Sequence, residues 1–253
     1  MHDIIITGAS RGLGDALARQ YLRSGYRLFC CARSANQELE QAAEEQEISL
    51  TYLQVNLAAD IGAEPLLEAW QNAQASAPAQ SVTLIHNAGI LDPIGLIGQE
   101  LVEEAITRAL LVNLGAVMQV SAAWIQQAQD LAIPKKILAI SSGAARRPVP
   151  GWSTYCSTKA AVDRYMECVA AEQVEQAYPV QAVSLAPGVI DTDMQALIRQ
   201  QEVSRFPGVD RFLKLKADDA LWSPEFTAEG IATYLERPEF GAEVIDDLRQ
   251  HWG

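Results

Sequence analysis

A tyrosine and a lysine four residues apart are the most informative pair of reactive side chains in the sequence. Tyr155 and Lys159 lie in a stretch with helical periodicity, so both project from one face of a helix. Ser142 stands thirteen residues before Tyr155, directly after an apolar run that is typical of a strand. A free phenol has a pKa of about 10, and a nearby ammonium favours the phenolate and lowers that pKa. Such a set could give a proton from Tyr155 to an oxygen atom while Ser142 hydrogen-bonds that atom.

A glycine-rich turn near the N-terminus predicts a site for phosphate groups. Gly8 permits a tight turn after the first strand, Gly12 lets the backbone approach a pyrophosphate, and Gly14 lets the following helix pack closely. The free N–H groups at the start of that helix favour an anion. The residues expected to form this part of a dinucleotide site are Gly8, Ser10, Arg11, Gly12, Leu13 and Gly14.

The end of the second predicted strand bears on the choice between NAD and NADP. The segment 30–34 carries no Asp or Glu, the residue that binds the adenosine ribose in NAD-preferring sites. Arg33 and Arg11 are suited to hold a 2′-phosphate, because guanidinium groups pair with phosphate in a bidentate manner. The alternative is that both arginines are solvated surface residues. We expect NADP(H) to be the cofactor.

Strands and helices alternate along the chain. Apolar runs predict strands at 4–7, 26–31, 50–55, 82–86, 136–141, 180–184 and 244–245. Helical patterns lie at 12–24, 37–46, 63–75, 100–110, 114–132, 154–177, 194–201 and 226–236. This alternation predicts a single α/β domain over residues 1–253, a Rossmann-like, doubly wound parallel sheet of about seven strands with helices on both faces. Residues 188–224 are the least regular segment and are expected to form a substrate lid.

The composition argues against several kinds of partner. The net charge is −13, with 19 Lys and Arg against 32 Asp and Glu, so neither nucleic acid nor an anionic membrane surface is expected to bind. No apolar run approaches the roughly 18–20 residues that span a bilayer, and no basic segment of a signal peptide precedes the first strand. The four cysteines form no C-x-x-C pair, which indicates no metal site and suits the reducing cytoplasm.

Five motifs in chain order resemble those of the short-chain dehydrogenase/reductase family. They are the glycine turn, Asn87-Ala88-Gly89, Asn113, Ser142 with Tyr155-x-x-x-Lys159, and Pro187-Gly188-Val189 with Thr192. The resemblance implies that Lys159 also holds the nicotinamide ribose and that Asn113 anchors a water linking Lys159 to solvent. It further implies that Asn56 lies beside the adenine. His86 departs from the family's usual Asn and is expected to be structural.

Within this family, three stretches resemble bacterial benzil reductases and sepiapterin reductase-like enzymes. The stretches are 142–145, 151–157 and 187–195. The resemblance implies a reductase for a small-molecule ketone or 1,2-diketone, either benzil-like and aromatic or another bulky carbonyl compound. Trp152 and Met194 are expected to contact the substrate beside Ser142 and Tyr155. The apolar residues expected around them are Leu197, Ile198, Phe206, Phe212 and Trp222.

Three alternatives remain open at this point. A pterin side-chain reductase would need a buried carboxylate, for which Asp191, Asp193, Asp246 and Asp247 are candidates. An NADP-sensing protein without catalysis would use the same fold, although such proteins often lack the Tyr or the Lys. A dimeric scaffold that holds its cofactor only structurally is the third possibility.

Assembly is the last expectation. The helices at 114–132 and 154–177 match those that form a four-helix dimer interface in the family, so a homodimer is expected. The C-terminus lacks the family's usual glycine-rich ending, which leaves a tetramer as an open alternative.

Overall fold

Seven parallel strands form one sheet in the computed structural model, which describes residues 1–58, 63–99 and 102–253. The strand order is β3-β2-β1-β4-β5-β6-β7. The strands are β1 (His2–Thr7), β2 (Tyr26–Ala32), β3 (Ser49–Gln54), β4 (Ser81–His86), β5 (Lys135–Ile140), β6 (Val180–Ala186) and β7 (Ile245–Asp247). The order reverses between β1 and β4, which is where ligands bind in open α/β sheets.

Helices cover both faces of this sheet. Those in the described residues are α1 (Gly12–Gln20), α2 (Gln37–Glu45), α3 (Glu64–Ser76), α4 (Glu103–Leu110), α5 (Ala116–Ala128), α6 (Ser153–Gln173), α7 (Asp193–Arg199), α8 (Val209–Ala217) and α9 (Pro224–Glu236). A π-helical turn, Leu111–Gly115, joins α4 to α5. The predicted single-domain, doubly wound α/β fold is confirmed.

Successive side chains of a strand point to opposite faces of the sheet, and each face packs against its own hydrophobic core. In β1, Ile4 and Ile6 belong to the core that contains α1 and α9, whereas Ile5 belongs to the core that contains α3, α5 and α6. Because neither face of the sheet meets water, the strands are apolar almost throughout. Because all seven strands are parallel, their carboxyl ends lie at the same edge of the sheet. The loops that follow the strands therefore lie close together at that edge.

Several helices end earlier than the sequence pattern predicts. The helix expected at 154–177 stops at Gln173, because the side-chain oxygen of Gln173 accepts a hydrogen bond from the Val180 N–H (3.0 Å) as the chain turns into β6. The helix expected at 114–132 stops at Ala128, where the Leu131 N–H closes a turn on the Ala128 carbonyl (3.0 Å). The first helix likewise ends at residue 20 rather than 24, and residues 100–101 of the fourth lie outside the described residues.

The segment 188–224 contains more regular structure than the sequence suggested. Besides α7, it holds the unpredicted helix α8, whose Val209 and Phe212 are buried while its other residues face solvent or lie partly covered. Asp191 accepts a hydrogen bond from Lys216 (2.6 Å), which ties the start of the segment to α8. A lid role for this segment stays a prediction.

One helical run is longer and more apolar than the sequence pattern suggested. α4, the π-helical turn and α5 make one helical run of 26 residues, with a mean hydropathy of 1.4 in its most apolar window. Length and composition alone would allow this run to cross a membrane. Its Val117, Val120 and Trp124 are buried against the sheet, which accounts for its apolar character as part of the core.

Candidate active site

A cavity of about 1030 Å³ lies along the carboxyl ends of the strands. The loops after β1, β2, β4, β5 and β6 contribute to its wall, as the switch point of the sheet requires. We call this cavity the cleft. The predicted site residues that line it are Gly8, Ser10, Arg11, Gly12, Leu13, Gly14, Arg33, Asn56, Asn87, Ala88, Gly89, Ser142, Trp152, Tyr155, Lys159, Pro187, Gly188, Val189, Thr192 and Met194.

The structure brings the three predicted reactive side chains together. Tyr155 and Lys159 occupy the buried face of α6, and the Lys159 Nζ lies 5.9 Å from the centroid of the Tyr155 ring. Lys159 donates a hydrogen bond to the Ile140 carbonyl (2.8 Å). Ser142 caps the short helical turn after β5, its Oγ accepting from the Ala144 N–H (3.1 Å), and it lines the cleft together with Tyr155. A carbonyl oxygen placed between Ser142 and Tyr155 would meet two O–H donors.

Burial has the largest effect on the pKa values of Tyr155 and Lys159 in the protein without cofactor or substrate. It raises the pKa of Tyr155 to about 12, against the opposing effect of the Ser142 hydroxyl. It also lowers the pKa of Lys159 to about 8, although the Asp163 carboxylate opposes that shift. The lowered phenol pKa expected from sequence is therefore not found here, because burial removes the water that would stabilise a phenolate. A protonated Tyr155 is the form that a proton donor requires.

We expect the kcat/KM of carbonyl reduction to fall as the pH rises above about 8. Burial holds the pKa of Lys159 near 8, so its ammonium is present below that pH and lost above it. That positive charge stabilises the phenolate left when Tyr155 gives up its proton. A pH–rate profile from about pH 6 to about pH 10 with saturating cofactor measures this. Activity that stays constant up to about pH 10 would show that the charge on Lys159 is not needed.

Asn113 lies beneath the cleft rather than in its wall. Its Oδ1 accepts a hydrogen bond from the Ile90 N–H (2.8 Å), and its Nδ2 donates to the Ile90 carbonyl (2.8 Å). A Cβ placed on Gly89 would stand 3.6 Å from both the Asn113 Oδ1 and the Lys159 Nζ. Asn113 is therefore close to Lys159, and its role as a water anchor stays a prediction.

His86 has the environment of a structural histidine. It is buried at the end of β4, with its Nε2 2.8 Å from the Ser121 Oγ on α5. Burial lowers the pKa of His86 to about 3, so the ring is neutral at physiological pH. The contact joins the sheet to α5, in agreement with the structural role expected from the sequence.

The glycine turn has the shape that a dinucleotide needs. Gly8 has a φ of +77°, and a Cβ there would stand 2.8 Å from the Ala88 Cα. A Cβ on Gly14 would overlap the Gly8 carbonyl oxygen, which Asn87 Nδ2 already holds by a hydrogen bond (3.0 Å). The turn, the start of α1 and the loop after β4 are thus packed backbone to backbone, and the first N–H groups of a helix have no partner within it. These residues fit a pyrophosphate-bearing cofactor.

The two predicted phosphate-binding arginines differ in their surroundings. Arg11 Nη1 pairs with Asp193 Oδ2 at 2.7 Å, and both side chains are 71% exposed. Arg33 is exposed at the end of the cleft beside Asn56, and within residues 1–58, 63–99 and 102–253 it forms no ion pair. Asn56 accepts a hydrogen bond from the Ala58 N–H (3.1 Å), which orders the loop after β3.

Three aromatic rings form a wall beside Tyr155, and we call them the aromatic wall. Trp152 stacks on Phe206 with ring centroids 4.7 Å apart and contacts Phe212 at 5.4 Å. The edge of Trp152 meets Tyr155 at 5.8 Å. Since all three wall residues line the cleft, a flat apolar group bound next to Tyr155 would pack against them.

The other apolar residues predicted around the substrate divide into two groups. Met194 and Ile198 line the cleft with the aromatic wall. Leu197 packs behind this cluster without lining the cleft. Trp222 packs against Phe226 with centroids 5.3 Å apart, because the backbone of 189–191 pairs with it and turns its ring away from the cleft. Leu197 and Trp222 therefore flank the cleft without lining it, which agrees with the alternative that they only pack this segment on the domain.

Two N–H groups of residues that line the cleft are buried, with almost no accessible surface, and have no hydrogen-bond partner among the described residues. They are the Trp152 Nε1 and the Gln195 Nε2. Gln195 is held by its other end, since its Oε1 accepts from Arg199 Nη1 (2.8 Å). A buried donor without an acceptor costs about 1–3 kcal/mol, so an acceptor supplied by a ligand would be stabilising. Sequence reasoning missed Gln195, because a single glutamine in a helix carries no signature.

The four carboxylates considered for a pterin are all engaged elsewhere. Asp191 binds Lys216, and Asp193 binds Arg11, both at the exposed rim. Asp246 accepts from Tyr234 (2.7 Å) and does not line the cleft. Asp247 pairs with Arg249, which hydrogen-bonds it from Nε at 2.8 Å. The substrate end of the cleft is therefore lined largely by apolar side chains, and the carboxylates of Asp191 and Asp193 at its rim are ion-paired.

A parallel α/β sheet with a glycine turn at its switch point and a Ser–Tyr–Lys set in the crevice defines a class of nicotinamide-dependent oxidoreductases. Residues 2–203 match the family model of short chain dehydrogenases, and the chain belongs to this family. It is an oxidoreductase that acts on a carbonyl or hydroxyl group of a small molecule and uses a nicotinamide cofactor.

Relatives match the chain over nearly its whole length. The benzil reductase ((S)-benzoin forming) of Bacillus cereus is 37% identical over 246 residues, 97% of this chain and 98% of that protein. The sepiapterin reductase of Mus musculus is 31% identical over 253 residues, 95% of this chain and 94% of that protein. The crystal structure of the KRED1-Pglu enzyme is 29% identical with a TM-score of 0.82, covering 96% of this chain and 99% of the other.

Proposed function

We propose that this protein is an NADP(H)-dependent carbonyl reductase for bulky, aromatic 1,2-dicarbonyl compounds of the benzil type. The observation that carries the proposal is the aromatic wall beside Tyr155, with Trp152 5.8 Å from the tyrosine ring. A phenyl group of the substrate would pack against this wall while its carbonyl oxygen faces Tyr155 and Ser142. The 37% identity to a benzil reductase supports the same substrate class.

In the proposed reaction, the chain's own residues handle the oxygen and its proton. Tyr155 donates its phenolic proton to the carbonyl oxygen, and Ser142 hydrogen-bonds that oxygen as negative charge develops on it. Lys159 stabilises the resulting phenolate and would hold the nicotinamide ribose, while Asn113 lies behind it. The chemistry supplied by the cofactor, when bound, is the transfer of a hydride. Trp152 and Met194 orient the substrate.

The two buried N–H groups without partners support a second oxygen on the substrate. A 1,2-dicarbonyl compound carries one carbonyl that is reduced and a neighbouring one that only accepts hydrogen bonds. Gln195 and Trp152 line the cleft, and a rotation of either side chain would bring its buried, unpartnered N–H to that neighbouring oxygen. A ketone with one carbonyl would leave these donors unsatisfied, which favours a dicarbonyl substrate.

NADP(H) is the proposed cofactor because of the charge at the adenosine end of the cleft. The end of β2 presents Arg33 and no carboxylate, so a 2′-phosphate would be attracted and not repelled. The glycine turn would hold the pyrophosphate, with Asn87-Ala88-Gly89 and Asn56 along the cofactor. The segment Pro187 to Val189 and Thr192 would complete the nicotinamide end.

The alternatives have less support from the site. A pterin substrate would need a free carboxylate, and the four candidates in the cleft and at its C-terminal side are ion-paired or hydrogen-bonded. A sensor without catalysis would not need the proton donor, yet Ser142, Tyr155 and Lys159 are assembled.

We further propose a cytoplasmic homodimer that uses the outer faces of α5 and α6. Ala122, Ala160 and Ala171 are exposed on these helices, and Met118 is 42% exposed on α5. Small exposed residues allow close helix packing. The four cysteines are all free, which suits a reducing compartment.

Replacing Gln195 with methionine is expected to separate dicarbonyl from monocarbonyl substrates. The wild-type protein should reduce benzil with NADPH faster than with NADH. Gln195→Met should then lower kcat/KM for benzil by about tenfold, the value of one good hydrogen bond, with little change for deoxybenzoin, in which one carbonyl is a methylene. NADPH absorbance follows both reactions.

Gln200→Met is the matched control for this experiment. Gln200 follows α7 and is exposed, so the same substitution there should leave both substrates unaffected. Equal losses of benzil and deoxybenzoin turnover in Gln195→Met would contradict the assignment of Gln195. No turnover of benzil by the wild-type protein would contradict the proposed function itself.

A further inference from the structure

Positive charge is concentrated around the cleft of this acidic protein. A recess of about 300 Å³ opens beside the cleft and is lined by Gly143, Arg146, Arg147, Arg211, Asp247 and Arg249. Among the described residues, the cleft and this recess together are lined by nine of the chain's 19 Lys and Arg, but by only three of its 32 Asp and Glu. The chain therefore places its scarce cations where ligands bind.

Most of these cations already have a partner or a role on the cofactor side. Arg11 and Lys216 are paired with Asp193 and Asp191, and Arg33 belongs to the adenosine end. Within the recess, the Asp247 carboxylate is taken by Arg249, whose guanidinium holds the pKa of Asp247 below its usual range.

Two arginines in the recess remain without a carboxylate. Arg146 donates to the Asp246 carbonyl (2.6 Å) and lies 3.7 Å from the Asp163 carboxylate, so it is also engaged. Arg147 and Arg211 are exposed and form no ion pair within the described parts of the chain. Both line the recess and the cleft, so the positive charge of this corner is not neutralised by the protein.

The aromatic wall connects this charge to the proton donor. Tyr155 meets Trp152 at 5.8 Å, Trp152 meets Phe212 at 5.4 Å, and the Arg211 guanidinium carbon lies 5.8 Å from the Phe212 ring. Gly143, which lines the recess, follows Ser142 in the chain. An aromatic ring packed along the wall, with its carbonyl at Tyr155, would point its far substituent toward Arg211.

We propose that the recess binds an anionic group, a carboxylate, at the far end of the substrate. This inference rests on the proposed function and deepens it: the preferred substrates are aryl dicarbonyl compounds that carry an acidic substituent on the ring. Guanidinium groups suit this task, because they pair with a carboxylate through two parallel hydrogen bonds. Gathered positive charge also attracts an anion to a protein whose net charge of −13 would otherwise repel it.

Three substrates of matched shape test the proposal: benzil, benzil-4-carboxylate and the methyl ester of that acid. We expect the wild-type protein to prefer the carboxylate over the ester through a lower KM. The double variant Arg147→Gln/Arg211→Gln should raise the KM for the carboxylate by about tenfold or more, as for the loss of charge-assisted hydrogen bonds. Benzil and the ester should be turned over as before.

The control removes the same charge elsewhere. Arg23 and Arg164 are exposed and line neither the cleft nor the recess, so Arg23→Gln/Arg164→Gln should leave all three substrates unchanged. A second readout does not need turnover: the Kd of benzil-4-carboxylate for the NADP⁺ complex, from quenching of tryptophan fluorescence, should rise in the recess variant alone.

The outcomes separate the two proposals. Equal KM and Kd for the carboxylate in the wild type and the recess variant would overturn the anion site, while benzil turnover would still support the reductase. An equal rise of KM for the ester in the recess variant would also overturn the anion site, because the arginines would then not distinguish a charged substrate from a neutral one. If the wild type reduces none of the three compounds, the reductase proposal fails, and the Kd comparison alone decides the anion site.

Discussion

Replacing Tyr155 with phenylalanine is expected to lower kcat for carbonyl reduction by about 10³-fold, within the range for losing a general acid. The change removes only the hydroxyl, so the ring keeps its contact with Trp152 and its place on α6. The pKa of Tyr155 is raised to about 12 by burial, so the wild-type group is protonated throughout the physiological range and ready to donate. Single-turnover oxidation of NADPH in the presence of benzil measures the chemical step directly.

The matched control is Tyr165→Phe on the same helix. Tyr165 is ten residues further along α6, and its hydroxyl donates to the Met118 carbonyl (3.2 Å) away from the cleft. We expect this variant to retain wild-type kcat, and both variants to bind NADPH as the wild type does. Normal turnover by Tyr155→Phe would show that another group supplies the proton, and the mechanism proposed above would be wrong.

Replacing Gly14 with alanine is expected to damage both the fold and the cofactor site. The new methyl group would overlap the Gly8 carbonyl oxygen, which is backbone and has no rotamer by which to move away. Because Gly8 is itself in close contact with Ala88, the strain would spread through the turn that is expected to hold the pyrophosphate. We expect a loss of about 3 kcal/mol in the free energy of unfolding, the upper part of the usual cost of overpacking, together with much weaker NADPH binding.

Gly115→Ala provides the comparison at a glycine with room. A Cβ there would stand 3.6 Å from the Leu110 carbonyl oxygen, which is ordinary van der Waals contact. This variant should unfold at nearly the wild-type urea concentration and bind NADPH normally. Urea unfolding gives the stability and fluorescence titration gives the Kd. A Gly14→Ala protein as stable as Gly115→Ala, with unchanged Kd, would show that the turn can relax, contrary to our expectation.

Local patterns were enough to predict most of the fold. Parallel strands that are buried on both faces appear in the sequence as apolar runs, and the helices between them show a helical period of apolar residues. Both can therefore be predicted without a structure. The features that the sequence did not predict are single elements: helix α8 and the end of α6. α8 contains Lys214, Lys216 and Asp210 with only two fully buried apolar residues, so its pattern is weak, and its packing against α7 stabilises it. The end of α6 depends on a hydrogen bond from Val180 to Gln173, which no helical propensity records.

The sequence by itself determined the sheet, the glycine turn and the Tyr155–Lys159 pair, because each depends on residues that are close in the chain or on a regular period. Only the tertiary structure decided the direction in which the pKa values of Tyr155 and Lys159 shift. Burial, which is a property of the whole fold, outweighs the effect of neighbouring charges on both groups. Only the tertiary structure showed the aromatic wall and the recess as well. Arg147, Arg211 and Arg249 are separated by tens of residues and meet only because the loops after parallel strands converge on one edge of the sheet.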